Sequence, residues 1–152
     1  MTKKPTQLRM MPQSLEAEKA ILGSIMIRPS SVYEISDLIS HEMFYAEKHK
    51  IIYREMMGLS AKYEPIDLVT VGECLDKKGI LESIGGRSYL SEVVGTVPAS
   101  TNIKYYAEIV LNKYLARAVI EAADGICELG FQEGSMHIDE ILDAAEKRIF
   151  AV

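Results

Sequence analysis

The last fifty residues of the chain constrain its fold more than any other feature, because they combine an uninterrupted helical pattern with a surplus of apolar side chains. No proline occurs after Asn102, and apolar residues recur at spacings of three and four over 103–129. After a turn at Gly130 and Gly134, the same spacing resumes over 138–149. This pattern predicts two helices that form an antiparallel hairpin.

The predicted hairpin has more apolar surface than two helices can enclose. Leu115, Val119 and Ile120 lie off the main apolar stripe of the first helix, so a single neighbouring helix cannot cover all of it. The hairpin either folds back on the preceding residues or pairs with a second copy as a four-helix bundle, which would be an isologous homodimer. The sequence leaves both arrangements open.

The preceding residues predict a head of about six short helices, so the whole chain is predicted to be all-α. Ser14 is placed to cap the first helix, and Asp67 is placed to cap a later one. A second helix is predicted through Val32 and Ile39, after the break at Pro29. The expected organisation is a disordered tail over 1–11, a globular helical head over 12–99 and a self-associating hairpin over 100–152.

Charge and cysteine content narrow the class of protein. Residues 1–102 carry 12 Lys and Arg against 13 Asp and Glu, whereas residues 103–152 carry 5 against 9. A duplex DNA binder needs a basic surface, so duplex binding is not expected. The two cysteines have no metal-ligand spacing and are expected to be reduced thiols buried in helices. Without a signal peptide or a membrane span, the protein is expected to be soluble and cytoplasmic.

No catalytic, metal or cofactor site stands out. The chain contains no Gly-Lys pair, which excludes a phosphate-binding loop of the P-loop type, and Gly85-Gly86 is interpreted as a structural turn. His49 with Glu47 and Arg54 is the only imaginable catalytic group, but a packed or hydrogen-bonded structural histidine is favoured. Four tyrosines near the predicted junction of head and hairpin suit either an interface or the core: Tyr89, Tyr105, Tyr106 and Tyr114.

Short motifs along nearly the whole chain resemble the N-terminal domain of the bacterial replicative DNA helicases, the DnaB-like hexameric helicases. They follow in the family's order over about 12–151. They are Pro12-Gln13-Ser14-Leu15-Glu16-Ala17-Glu18; Ile21-Leu22-Gly23-Ser24; Phe44-Tyr45 with His49 and Ile52; Pro65-Ile66-Asp67-Leu68-Val69-Thr70-Val71; Gly85-Gly86 with Ser88-Tyr89-Leu90; Val97-Pro98; Asn102 with Tyr105-Tyr106-Ala107; and Ala144-Ala145-Glu146 with Ile149-Phe150.

The resemblance implies a non-catalytic collar domain that mediates subunit dimerisation, hexamer assembly as a trimer of dimers, and docking of the C-terminal domain of primase or of a helicase loader. The full-length protein would be an ATP-dependent 5′–3′ DNA helicase, whose ATP and Mg²⁺ belong to a motor domain following residue 152; no cofactor is expected in this part. The predicted self-association face comprises Tyr114, Ala118, Ala122, Ile126, Ile138, Leu142 and Ala145. The predicted primase-docking residues are Tyr89, Ile120 and Ile126, although Ile126 cannot fully serve both faces.

Two other functions remain alternatives. A free-standing helical adaptor could imitate the helicase collar and regulate its assembly; a reading frame that continues into a phosphate-binding loop would argue against it. A small all-α enzyme built on Glu47, His49 and Arg54 is the less favoured alternative. Loss of an activity in His49→Ala, with the fold intact, would support it.

Overall fold

The structure is a computed structural model that describes residues 9–98 and 102–152. The described residues form helices and no strands, so the all-α prediction is confirmed. The six α-helices are α1 (Leu15–Ile27), α2 (Glu47–Ala61), α3 (Leu68–Lys77), α4 (Gly86–Gly95), α5 (Ile103–Gly130) and α6 (Ile138–Phe150). Two compact units are present: residues 13–114, called the head unit, and residues 115–152 with the N-terminal segment through Pro12, called the hairpin unit.

Three helices of the head unit begin where the sequence predicts. Ser14 caps α1 by accepting a hydrogen bond from the backbone N–H of Ala17, at 3.3 Å. Asp67 caps α3 by accepting from two backbone N–H groups, and the Thr70 hydroxyl accepts from the N–H of Asp67 in return. Gly85 adopts φ of +107°, a left-handed conformation that favours glycine, and α4 starts directly after it. These predictions depend on neighbours in sequence and are confirmed.

The helix predicted through Val32 and Ile39 is wrong. The chain instead forms a 3₁₀-helix over Pro29–Glu34, followed by turns. The hydroxyl of Ser31 donates to the carbonyl of Arg28 at 2.7 Å, which satisfies the backbone locally in place of an α-helical hydrogen bond. The apolar positions are nevertheless buried, since Val32, Ile35 and Ile39 all belong to the core.

The head unit has a continuous apolar core, in which α1 packs against α2 and α4, and α3 packs against α2 and α4. The backbone of α1 approaches α4 closely at Gly23. A Cβ atom built on Gly23 would lie 2.7 Å from the carbonyl oxygen of Val93 and would overlap the side chain of Val97. Only glycine therefore permits this separation of the two helices.

The first three turns of α5 contribute to the core of the head unit. Ile103, Ala107 and Val110 are each no more than 2% exposed and belong to the same apolar cluster as α1–α4. These contacts place the start of α5 in the head unit, and the division between the two units falls between Tyr114 and Leu115, inside α5. Most of the predicted N-terminal tail, residues 1–8, lies outside the described residues.

In the hairpin unit, α6 returns alongside α5 as the predicted antiparallel hairpin. Leu129 and Ile141 are buried at 7% and 6% exposure, and the guanidinium of Arg148 lies directly over Gly125. His137 caps α6 by accepting from the backbone N–H of Asp139. None of the helices in the described ranges combines the length and the apolar character that crossing a bilayer requires.

Candidate docking surfaces

Glu18 is a buried carboxylate that joins α1 to the start of α2. It is 2% exposed, and its two oxygens accept hydrogen bonds from the backbone N–H groups of Tyr45 at 2.8 Å and Ala46 at 3.3 Å. The Nδ1 atom of His49 lies 2.7 Å from Oε1 of Glu18. Three partners thus compensate for burial of the carboxylate, which would otherwise be costly.

His49 continues this network to α4. Its Nε2 atom lies at hydrogen-bond distance from the hydroxyl of Tyr89, and the imidazole is fully buried. Burial, together with the carboxylates of Glu92 and Glu18, raises the pKa of Tyr89 to about 12, so its hydroxyl keeps its proton at neutral pH. The ammonium of Lys48 lies 3.9 Å from the centre of the Tyr89 ring, a favourable cation–π distance.

The Glu18–His49–Tyr89 network therefore ties three helices together and has no open face for a substrate. Both ring nitrogens of His49 are engaged by Glu18 and Tyr89, which matches the structural interpretation of this histidine. Glu47, which the enzyme hypothesis paired with His49, instead lies 3.7 Å from Lys50. Among the described residues, no group of three or more His, Cys, Asp or Glu side chains is placed to hold a metal ion.

A second buried carboxylate, Glu55 on α2, is a feature that sequence reasoning missed. It is 4% exposed and accepts hydrogen bonds from Lys78 Nζ at 2.8 Å and Cys74 Sγ at 3.1 Å. Burial acts to raise the pKa of Glu55, but the hydrogen bonds and the charges of Lys78 and Arg54 lower it more, so the pKa is below its ordinary value. Burial and the same hydrogen bond raise the pKa of the Cys74 thiol.

The hairpin unit exposes apolar side chains on both helices. On α5, Leu115 is 40% exposed and Val119 is 56% exposed, and their spacing of four places them on one side of the helix. On α6, Ile138 and Leu142 are also four residues apart and are 55% and 58% exposed. Ile149, two turns further along α6, is 61% exposed. These five residues are called the apolar face of the hairpin unit below.

Two of the seven residues predicted for self-association lie on this apolar face. Ile138 and Leu142 are exposed, whereas the other five members are half-buried. The half-buried members are Tyr114, Ala118, Ala122, Ile126 and Ala145. Leu115, Val119 and Ile149 are not in the predicted set, although the off-stripe positions of Leu115 and Val119 indicate surface that α6 does not cover.

The residues predicted for primase docking lie in different units. Tyr89 belongs to the head unit, is 8% exposed and uses its hydroxyl in the contact with His49. Ile120 and Ile126 belong to the hairpin unit; Ile120 is 37% exposed and Ile126 is half-buried. Of the three, Ile120 therefore offers the most surface to a partner.

The described residues thus comprise an all-helical head unit with buried, hydrogen-bonded polar clusters and a hairpin unit that exposes an apolar face. Residues 10–112 match the family model "DnaB-like helicase N terminal domain". The chain belongs to this family, as its motifs indicated.

Relatives and solved structures agree with this assignment. The chain is 39% identical over 95% of its length to the replicative DNA helicase DnaC of Bacillus subtilis, and 40% identical over 95% to DnaB of Geobacillus stearothermophilus. It covers 32% of each, so it spans about a third of the curated relatives that it matches. The crystal structure of the N-terminal domain of DnaB helicase from Mycobacterium tuberculosis superposes with a TM-score of 0.87 at 33% identity, over 94% of this chain and 100% of that one.

A second solved structure, of a DnaB-like replicative helicase, superposes with a TM-score of 0.71 at 27% identity. This match covers 89% of our chain and 31% of that one. The family model and the Mycobacterium tuberculosis structure both represent the N-terminal domain, not the motor. The prediction that this chain corresponds to the N-terminal domain of these helicases, without their ATPase motor, is therefore confirmed.

Proposed function

We propose that this domain is the collar element of a hexameric replicative helicase, in which hairpins of adjacent subunits pair and three such dimers assemble. The observation that carries the proposal is the apolar face of the hairpin unit, whose five side chains are 40–61% exposed in the single chain. Exposed apolar patches of this kind mark protein interaction sites in soluble proteins. A second hairpin would cover the face in an isologous four-helix arrangement.

The contribution of one side chain to self-association can be estimated from the apolar surface that it would bury. Full burial of a leucine side chain contributes about 1.5–3 kcal/mol, so covering Leu142, which is 58% exposed, contributes roughly 1–2 kcal/mol. An isologous interface uses the same residue from both subunits, which doubles this to about 2–4 kcal/mol. Leu142→Asp should therefore weaken self-association roughly thirtyfold or more.

Sedimentation velocity over a concentration series tests this proposal. Tyr63→Asp is the matched control, because it introduces the same charge at a side chain of the head unit that is 91% exposed. The proposal expects the control to sediment as the wild type does, and Leu142→Asp to remain monomeric at concentrations where the wild type associates. Equal behaviour of both variants and the wild type would contradict it.

Docking of the C-terminal domain of primase is the second part of the proposal. The solved structure that superposes with a TM-score of 0.71 concerns a DnaB-like replicative helicase "And Its Interactions With Primase", which supports this partner. Ile120 is our principal anchor, with Ile126 and Tyr89 as the further predicted contacts. A helicase loader is a further expected partner, and no contact with duplex DNA is proposed.

Isothermal titration of the primase domain into the wild type and into Ile120→Asp tests the docking residue. Truncating or charging an interface anchor costs on the order of 2 kcal/mol if the residue is a hot spot, which corresponds to roughly thirtyfold weaker binding. Tyr63→Asp again serves as the control. Unchanged affinity in Ile120→Asp would remove this residue from the docking surface.

For the whole protein, we propose ATP-dependent 5′–3′ unwinding of DNA in the cytoplasm, with ATP and Mg²⁺ bound by a motor domain outside this chain. The alternative of a free-standing adaptor shares the family fold and differs in lacking that motor. The reading frame beyond Val152 distinguishes the two, because only the helicase proposal requires a phosphate-binding loop there.

A further inference from the structure

Lys48 on α2 is an ammonium group that is held in place by an aromatic ring and not by a carboxylate. Its Nζ atom lies 3.9 Å from the centre of the Tyr89 ring, and the residue is half-buried. Lys48 forms no ion pair with any other residue in the described part of the chain. The ring attracts the cation but does not neutralise it. Lys48 therefore keeps an uncompensated positive charge at a defined position.

A second ammonium group, that of Lys19 on α1, lies 6.0 Å from the centre of the same ring. Within 9–98 and 102–152, the carboxylate paired with Lys19 is that of Glu92, at 3.8 Å, and its side chain is 58% exposed. An exposed ion pair of this length contributes little. The carboxylate of Glu18 is buried and already engaged by His49 and two backbone N–H groups. Two ammonium groups thus converge on one ring, with one loosely paired carboxylate to balance them.

The Tyr89 side chain itself offers little to a partner. It is 8% exposed, its hydroxyl contacts Nε2 of His49, and its ring is stacked with the imidazole at a centroid distance of 6.0 Å. Single-stranded nucleic acid is bound by stacking of bases on accessible aromatic rings, which this ring does not provide. A partner instead meets the ammonium groups of Lys48 and Lys19. Charge complementarity therefore favours a carboxylate of a protein partner.

We propose that Lys48, with Lys19 as a second donor, binds a carboxylate side chain of the primase domain, and that Tyr89 positions the Lys48 ammonium. The inference rests on the proposed function, in which Tyr89 is a predicted docking contact. Because the ring holds Lys48 in place before the partner arrives, less side-chain entropy is lost on binding. The opposite charges also accelerate the encounter, and added salt weakens the contact because it lies near the surface.

Isothermal titration of the primase domain into three proteins tests the contact: the wild type, Lys48→Met and Lys48→Arg. Methionine keeps an apolar chain over the ring and removes the charge, so the affinity should fall roughly fivefold, the loss expected for one surface ion pair. Arginine should retain the affinity, since its guanidinium also binds aromatic faces and carboxylates. Added salt should weaken binding to the wild type more than binding to Lys48→Met.

Lys50→Met is the matched control. Lys50 lies on the same helix, and its ammonium is 3.7 Å from the carboxylate of Glu47, so the variant removes the same charge from a different contact. It should bind as the wild type does, and urea denaturation verifies that each variant is folded. Equal affinities of Lys48→Met and the wild type, or equal losses in Lys48→Met and Lys50→Met, would overturn the proposal. Binding of a labelled oligothymidylate that is lost in Lys48→Met would assign the ammonium to nucleic acid and would also overturn it.

The titrations separate a failure of this contact from a failure of docking as a whole. A wild type that does not bind the primase domain would refute the docking proposal, and the role of Lys48 with it. If the wild type binds, Ile120→Asp binds more weakly and Lys48→Met is unchanged, docking stands and only the carboxylate contact is overturned.

Discussion

Adding one methyl group at Gly23 should destabilise the head unit. At any exposed helix interior, Gly→Ala stabilises by about 1 kcal/mol, because alanine loses less backbone entropy on folding. At Gly23 the added Cβ would meet the carbonyl oxygen of Val93 at 2.7 Å and overlap Val97. The Val93 oxygen is a backbone atom in α4, so relief requires α1 and α4 to move apart within a packed core.

Overpacking of a core by one methyl group typically costs about 1–3 kcal/mol, and a backbone obstacle places Gly23 at the upper end of that range. After the gain in helix propensity, Gly23→Ala should lower the free energy of unfolding by about 1–2 kcal/mol. Gly58 is the matched control, since it lies within α2, is exposed, and a Cβ there meets no atom within 4 Å. Gly58→Ala should raise the free energy of unfolding by up to about 1 kcal/mol.

Urea denaturation followed by circular dichroism measures both variants against the wild type, and thermal unfolding provides a second measure. For a chain of this size, 1 kcal/mol corresponds to a change in melting temperature of about 2–4 °C. The two variants should shift the transition in opposite directions. If both stabilised the protein equally, the close approach of α1 and α4 at Gly23 would not constrain the fold, and our account of the head unit would be refuted.

Two further predictions concern the buried polar clusters. Tyr89→Phe removes the hydroxyl that contacts Nε2 of His49 and should lower the free energy of unfolding by about 1–3 kcal/mol in urea titrations; no change would show that this hydroxyl contributes nothing. Glu55 has a lowered pKa in the folded state, so its contribution is present above the unfolded value of 4.5 and disappears as the pH falls through the lower folded value. Glu55→Gln should therefore have a lower free energy of unfolding than the wild type at pH 7. As the pH falls further, the free energy of unfolding should decrease less in the variant than in the wild type. Parallel pH profiles of the two proteins, measured by urea denaturation, would contradict this.

Features that depend on residues close together in the sequence, such as helix caps and helical periodicity, could be predicted from the sequence. Ser14 and Asp67 cap helices because each side chain reaches a backbone N–H two or three residues ahead. The hairpin could be predicted because its apolar spacing persists over many turns. The helix expected through Val32 was wrong because apolar spacing over so few residues fits a 3₁₀-helix with turns equally well.

Contacts between residues distant in sequence could not be predicted. Glu18 and His49 are 31 residues apart, and His49 and Tyr89 are 40 apart, so no local pattern links them. The same limit applies to Glu55 with Cys74 and Lys78. On the hairpin, periodicity located a broad apolar surface on α5 but could not show which part α6 covers. Their off-stripe positions singled out Leu115 and Val119, but only the packed helices show how much of each side chain is exposed.

Methyl NMR on dilution tests most directly whether another molecule covers the apolar face of the hairpin unit. The methyl signals of Leu115, Val119 and Leu142 report on that face, while those of Ile27 and Val69 serve as controls in the head unit with similar exposures of 59% and 60%. We predict that the three hairpin signals shift with protein concentration and that the two control signals stay fixed. Hairpin signals that remain constant at every concentration, or that shift no more than the controls, would contradict the account.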